Sequence, residues 1–296
     1  MVSVIIPTFD APLLGEVIAA LLAQTAAAEI GEILVVGRHP AAQLAGCALV
    51  RSIWPGTQLA PGAARNAGAA AASGDLLWFC DADVLPTPQA LARLLAAQRA
   101  FGYAGVCAAV IPERGSYWRL SANLMAFPLF VAGDAAGERP CLPSFCVLFT
   151  RTAWDRHGPF DARYDPSCED IDLSYSIRRG GARLGCATDA AVAHRPARTT
   201  PAAVLRRHRI YGINWPMLCR EHADLLPPSP ALWILTYLGW LGTALALPLA
   251  LLYVLRLMLR ERPWLLRFWP WLPGMVWAQW GLYLGASGAL LARGAR

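Results

Sequence analysis

PGAARNAGAAAASGDLLWFCDADVLP, residues 61–86, sets out a turn, a helix, a strand and an acidic loop in that order. Pro61 and Gly62 turn the chain into an alanine-rich run, residues 63–73, whose composition predicts helix. Gly74-Asp75 are expected to end it, because glycine readily takes the left-handed cap conformation. Residues 76–80 are uniformly apolar between polar turns, the pattern of a central strand buried on both faces. Asp81 and Asp83 then leave the carboxyl edge of that strand, where open α/β sheets place their ligand crevice, and Pro86 and Pro88 shut the strand off. Two carboxylates with one small residue between them can both reach a hard divalent cation, which would in turn grip a diphosphate. A bare Asp-Ala-Asp turn also suits a solvated loop. The buried strand leading into it, and Arg65-Asn66-Ala67-Gly68 upstream, favour the functional reading.

Working outward, residues 2–6 form a short β-branched strand stopped by Pro7, and residues 13–24 carry Leu14, Val17, Ile18, Leu21 and Leu22 on one helical face. Residues 32–36, EILVV, are the next strand. A β-α-β opening predicts a doubly wound α/β domain with a mostly parallel central sheet. A weaker strand is expected over 49–54, a helix over 89–99 and a strand over 105–111. Residues 113–145 read as a mobile loop with a partial helix. Order returns at 145–149, and Glu169-Asp170 begin a helix that Gly180-Gly181 end. A strand pair over 182–186 and 190–194 and an arginine-rich helix over 201–215 complete the domain.

Hydrophobic residues make up 56% of the 296 and charged residues 16%, too few charges for an ordinary soluble chain. All 26 basic residues are arginine, a bias first of genome composition. The net charge of +6 sits almost wholly in residues 231–296, which hold six arginines and one acid. The part before them is therefore no nucleic-acid binder by charge. The eight cysteines show no C-x-x-C or zinc spacing and are expected as buried thiols. Residues 231–255 and 268–292 each run 25 residues without a charge, enough for a helix of roughly 37 Å against a lipid core of ~30 Å. They predict a C-terminal transmembrane helical hairpin, with Pro248, Pro270 and Pro273 as kink points. Two buried core helices are the alternative, and these would need a partner surface that the preceding domain has little sequence left to supply. Met1 is followed at once by a strand rather than a basic leader, so the first domain is expected to stay in the cytosol.

From residue 2 to about 215 the chain resembles glycosyltransferase family 2, which has the GT-A fold. The motifs that carry the resemblance are VSVIIPTFD (residues 2–10), Arg65-Asn66-x-Gly68, Asp81-x-Asp83, Gly158-Pro159-Phe160-Asp161 with Glu169-Asp170-x-Asp172-Leu173, and Arg206-Arg207-His208-Arg209. The resemblance implies nucleotide contacts from Pro7 and Thr8, a supporting place for Asp10, and an Arg65 that reaches toward the nucleotide. It gives Asp81 to ribose and metal, Asp83 to the metal directly, and His194 to metal or diphosphate. Asp170, beside Glu169, would be the general base, although acids in a first helical turn also complement the helix dipole. Arg206 and Arg209 would clamp the diphosphate or the acceptor, where a membrane-surface role is the other reading; Ile210 stands where many members have Trp. After the second strand most members carry an acidic pair that recognises the base, whereas this chain has Val36-Gly37-Arg38-His39. UDP is the default nucleotide, with GDP or another open.

The resemblance thus implies a membrane-anchored bacterial enzyme: an inverting hexosyltransferase that uses Mg2+ or Mn2+. It would move a sugar from a nucleoside-diphosphate donor to a membrane-held hydroxyl acceptor, a lipid or lipid-linked glycan. The expected organisation is a catalytic domain over 1–215, a linker over 216–230 and an anchor over 231–296. The catalytic domain should face the cytosol from the inner membrane, because nucleotide sugars are cytosolic. The alternatives are a polyprenyl-phosphate glycosyltransferase and a catalytically silent GT-A module that binds nucleotide or scaffolds a complex.

Overall fold

A computed structural model describes residues 1–40, 44, 47–226, 231, 234 and 239–294. By contact the chain divides into two units, the first comprising residues 1–111, 129–165 and 169–196, and the second residues 112–128, 166–168 and 197–296.

The first unit is built on β1 (Val2–Phe9), β2 (Ile30–Arg38), β3 (Val50–Ile53), β4 (Leu76–Cys80), β5 (Val84–Pro86), β6 (Gly105–Val110), β7 (Gly137–Glu138), β8 (Cys146–Thr150) and β9 (Leu184–His194). They lie in the order β3-β2-β1-β4-β8-β6-β9-β5, with β7 also on β9. β1, β2, β3 and β4 pair in parallel, as the β-α-β opening predicts. β6 and β9 also pair in parallel, but the remaining pairs correct the mostly parallel expectation: β8 runs antiparallel between β4 and β6, and β5 and β7 run antiparallel to β9. The sheet is mixed because β8 enters from a distant segment, not from a crossover helix. The expected strand pair over 182–194 is one continuous strand, β9, whose register shifts against β6 between Cys107 and Ala109.

Helices α1 (Leu14–Leu22), α2 (Pro61–Ala71), α3 (Ala90–Phe101), α5 (Arg151–His157) and α6 (Glu169–Arg179) cover this sheet. α1 turns Leu14, Val17, Ile18 and Leu21 inward, as its sequence marked out, whereas Leu22, expected on the same face, is exposed. α2 ends earlier than expected and without a glycine cap, since Ala72 is already extended at ψ 144°. Gly74 serves the adjoining strand instead: a Cβ there would stand 2.8 Å from the Met1 carbonyl oxygen and from Ser3 N. The Leu77, Trp78, Phe79 and Cys80 side chains of β4 are fully buried, as its apolar run predicts.

The second unit is helical: α4 (Tyr117–Ala126), α7 (Pro201–Ile213), α8 (Trp215–Glu221), α9 (Gly239–Arg256) and α10 (Leu272–Gly294), with a wide π-helical turn over Leu257–Glu261 and a 3-10 segment over Pro263–Trp271. α4 is the partial helix expected within 113–145, but it is a framework element and not part of a mobile loop. Ser116 caps it through a side-chain bond from Arg119 N, and Leu120 and Leu124 join a core with Val204, Val254, Leu265, Phe268 and Met275. The segment expected as a linker opens with α8, while residues 227–230 and most of the start of the first expected span lie outside the described residues. Among the described residues one helical stretch, Gly242–Glu261, is long and apolar enough to cross a membrane, at a mean hydropathy of 1.9. The second expected span begins in that 3-10 segment and continues as α10, which buries Met275, Ala278, Tyr283 and Ala286. α4 and α7 supply the partner surface that the sequence seemed to lack. Glycines let α7 and α10 touch backbone to backbone: a Cβ on Gly212 would stand 2.0 Å from the Leu282 carbonyl oxygen.

Candidate active site

β4 delivers Asp81 to the carboxyl edge of the first unit's sheet, where Asp81 N donates to the Phe145 carbonyl at 2.8 Å. Val84 N donates back to the Asp81 carbonyl at 3.0 Å, so residues 81–84 form a tight turn that presents both acids. α2 brings Arg65 against this turn from below. Its guanidinium donates from one amino group to Asp81 Oδ1 at 2.5 Å and from the other to Glu169 Oε1 at 3.1 Å. Arg65 is only 4% exposed, and it joins two acids 88 residues apart in sequence. Burial works against its charge, but Asp81 and Glu169 outweigh that and raise its pKa.

Asn66, next on α2, fixes the approach to α6. Its amide donates to the Phe160 carbonyl and accepts from Phe160 N, both at 2.9 Å. The Gly-Pro-Phe-Asp segment is therefore tied to the Arg-Asn motif. Glu169 opens α6 under Gly62, where a Cβ would meet its Cγ at 3.2 Å. Burial and the neighbouring Asp170 charge push the Glu169 carboxyl up to about 7, and Arg65 only partly offsets them. Asp170 faces Ser144, whose backbone N–H and hydroxyl both donate to Oδ2, while Ile171 N donates to Oδ1. Ser144 went unmarked in the sequence because nothing local distinguishes a serine that precedes a strand.

Asp83 and His194 meet across the β5–β9 ladder, where Val84 is the register partner of His194. His194 Nε2 lies 3.6 Å from Asp83 Oδ1, and its ring stacks on Phe145. Among the described residues no group of three or more His, Cys, Asp or Glu converges as a ready metal site. Asp83 with His194 would still suit a divalent cation whose other positions come from substrate phosphates, because such ions are commonly held by one or two carboxylates plus phosphate oxygens.

At the ends of β1 and β2, Pro7 and Thr8 are half-buried, and Thr8 Oγ1 is buried without a hydrogen-bond partner. Asp10 pairs with Arg38, a residue the sequence reading marked only as a departure. Arg206 and Arg209 are exposed on α7, in the second unit. It is Arg207 of that run that turns inward, lying 4.8 Å from the Tyr211 ring centroid, while Arg198 Nη1 donates to the Tyr211 hydroxyl at 3.1 Å. Burial would raise the Tyr211 pKa, yet the two arginines lower it. Burial and the same cations drive His208 down to about 3.

The sheet order and the acidic turn define a GT-A-type α/β fold, and solved structures share it. A mannosyltransferase from Pyrobaculum calidifontis, in complex with GDP-Man and Mn2+, aligns over 100% of this chain and 88% of its own at 18% identity, TM-score 0.63. GalNAc-T7 with UDP, GalNAc and Mn2+ aligns over 73% of this chain and 49% of its own at 15% identity, TM-score 0.51. TarS of S. aureus aligns over 72% and 39% at 17% identity, TM-score 0.52. No curated protein matches the sequence. The model of Glycosyl transferase family 2 matches residues 3–154, more than half of the chain. The chain belongs to that family.

Proposed function

We propose that this protein is an inverting, metal-dependent glycosyltransferase, taking a sugar from a nucleoside-diphosphate donor to a hydroxyl of a lipid or lipid-linked glycan at the membrane. The observation that carries this reading is the Arg65 bridge, because it sets the nucleotide-side acid Asp81 and the acceptor-side pair Glu169-Asp170 around one buried cation. Pro7, Thr8 and Asp10 hold the nucleoside end, and Asp81 the ribose. Asp83, with Asp81 and His194, would hold Mg2+ or Mn2+. A bound ion would supply positive charge to the diphosphate and so ease departure of the nucleoside diphosphate. Asp170 takes the proton of the acceptor hydroxyl as that oxygen forms its bond to the anomeric carbon. The bond from carbon to the diphosphate oxygen breaks on the opposite face, so the configuration inverts. Two structural neighbours, in complex with GDP-Man or UDP together with Mn2+, support the donor class and the metal.

The membrane part of the proposal rests on Gly242–Glu261 and on its exposed apolar side chains, among them Leu252 at 63% and Leu259 at 61%. We take residues 1–215 as the catalytic part, 216–230 as connection and 231–296 as anchor, with the active site on the cytosolic face of a bacterial inner membrane. Arg206 and Arg209, exposed on α7, are placed at the lipid headgroups or the acceptor. A second reading is transfer to a polyprenyl phosphate; the second unit by itself carries a positive Arg198–Arg207–Tyr211 cluster of the kind that suits an anionic group. The test is transfer from a panel of nucleotide sugars into a membrane lipid extract, with the anomeric configuration of the product read by NMR. Retained configuration, or donor turnover unaffected by chelator, sinks the mechanism; a product cleaved by mild acid at a sugar–phosphate bond selects the second reading.

A further inference from the structure

β1 and β2 run side by side with Phe9 opposite Arg38, and Asp10 N closes the pair by donating to the Arg38 carbonyl at 2.8 Å. Asp10 is thereby held at φ 48°, in the left-handed region that a non-glycine residue occupies at a cost. Arg38 secures it: Nε donates to Asp10 Oδ2 at 2.8 Å, and Nη2 donates to the same oxygen. The Phe9 ring backs the guanidinium, with its centroid 4.4 Å away. Gly37, at φ 125°, permits the approach, since a Cβ there would stand 1.9 Å from the Thr8 carbonyl oxygen.

Both side chains remain about half exposed, and among the described residues each spends its hydrogen bonds on the other alone. Asp10 Oδ1 is left to accept and Arg38 Nη1 to donate. Strand order fixes the sequence in which these groups stand along the sheet edge. β1 lies between β2 and β4, so from the Asp81 turn outward comes first the acceptor Asp10, then the donor Arg38. Two strand spacings, about 10 Å, separate β4 from β2, the scale of a nucleoside. On a base anchored through its phosphates, the groups met outward from the sugar are N3–H then O4 in uracil, and N1–H then O6 in guanine. Cytosine and adenine present the reverse order, a ring nitrogen that accepts and then an amino group that donates.

We propose that the Asp10–Arg38 pair is the base-reading element of the donor site and selects imide bases, uracil or guanine, over cytosine and adenine. This rests on the nucleotide-sugar reading above. It also gives Arg38 a positioning role toward Asp10 and a direct contact to the base carbonyl.

The experiment is calorimetric titration of the full chain in detergent with UDP, GDP, CDP and ADP in the presence of Mn2+. The tighter of UDP and GDP is then repeated as its N-methylated imide, 3-methyluridine or 1-methylguanosine diphosphate. UDP or GDP should bind about 10- to 100-fold more tightly than CDP and ADP, and methylation should remove most of that margin. Asp10→Asn, which can present either an oxygen or an amino group, should bring the four nucleotides toward parity. The methylated ligands need no variant, so a misfolded Asp10→Asn would not leave the question open. CDP or ADP binding tightest, or a methylated imide binding as well as its parent, overturns the inference and leaves the donor reading intact. Failure of every nucleoside diphosphate to bind overturns both.

Discussion

Ser144 donates to a single oxygen of Asp170 twice, from its backbone N–H at 2.8 Å and from its hydroxyl at 3.0 Å. The contact sets the carboxylate's orientation before any acceptor arrives, which is what a positioned base requires. Asp170→Asn should slow transfer by roughly 10² to 10⁴ while leaving donor affinity nearly unchanged. Ser144→Ala should cost less, because the backbone N–H remains. Single-turnover transfer measured beside donor binding separates the two effects. Unaltered transfer by Asp170→Asn would remove it as base and favour a phosphate acceptor.

Asp83→Asn keeps the side-chain shape but removes the charge set against the donor's metal. Turnover should fall by several orders of magnitude, and chelation of the wild type should mimic it. Full activity in chelator together with an unharmed Asp83→Asn variant would contradict a metal role.

Arg65 is the buried cation between Asp81 and Glu169. Arg65→Met leaves two carboxylates facing each other without it, and should destabilise the fold by on the order of 3 kcal/mol. Arg65→Lys should rescue only part of this, since an ammonium lacks the fork that engages both acids at once. Thermal midpoints measured in chelator decide the matter; equal midpoints for all three proteins would show that the bridge contributes nothing.

Glu169 gives the stability a pH dependence. An unfolded glutamate ionises near 4.5 and this one near 7, so between those values the folded chain holds the extra proton. Wild-type stability should therefore fall as pH rises through that window, by on the order of 3 kcal/mol if the full shift is expressed. Glu169→Gln does not titrate, so it should gain on the wild type between about pH 5 and pH 8. Thermal unfolding in chelator at the two pH values reads this difference, and a constant gap would refute the assignment.

Gly285 on α10 faces the backbone of α7, where a Cβ would stand 1.9 Å from the Arg209 carbonyl oxygen. Gly285→Val should destabilise the helical unit by about 1–3 kcal/mol or more through overpacking. Gly288, whose Cβ position is open, is the control, and the two variants should differ clearly in thermal midpoint.

What the sequence determined by itself was local. The apolar run of β4 between polar turns could only be a buried strand, its acids had to emerge at the strand's end, and Glu169 and Gly180 bounded α6 through propensity and capping that act within a few residues. Those signals alone mark out Asp81, Asp83 and Asp170. Tertiary structure alone decided what depends on segments distant in sequence: β8 inserting antiparallel between β4 and β6, β9 running unbroken beside β6, and α4 joining the core of α7 and α10. Strand pairing is a choice among non-local partners that similar apolar runs satisfy equally well, and hydropathy alone cannot tell a helix that meets lipid from one that meets another helix. The same holds for Ser144 and Arg38, ordinary residues in the sequence, which acquire a role only because the fold sets them beside Asp170 and Asp10.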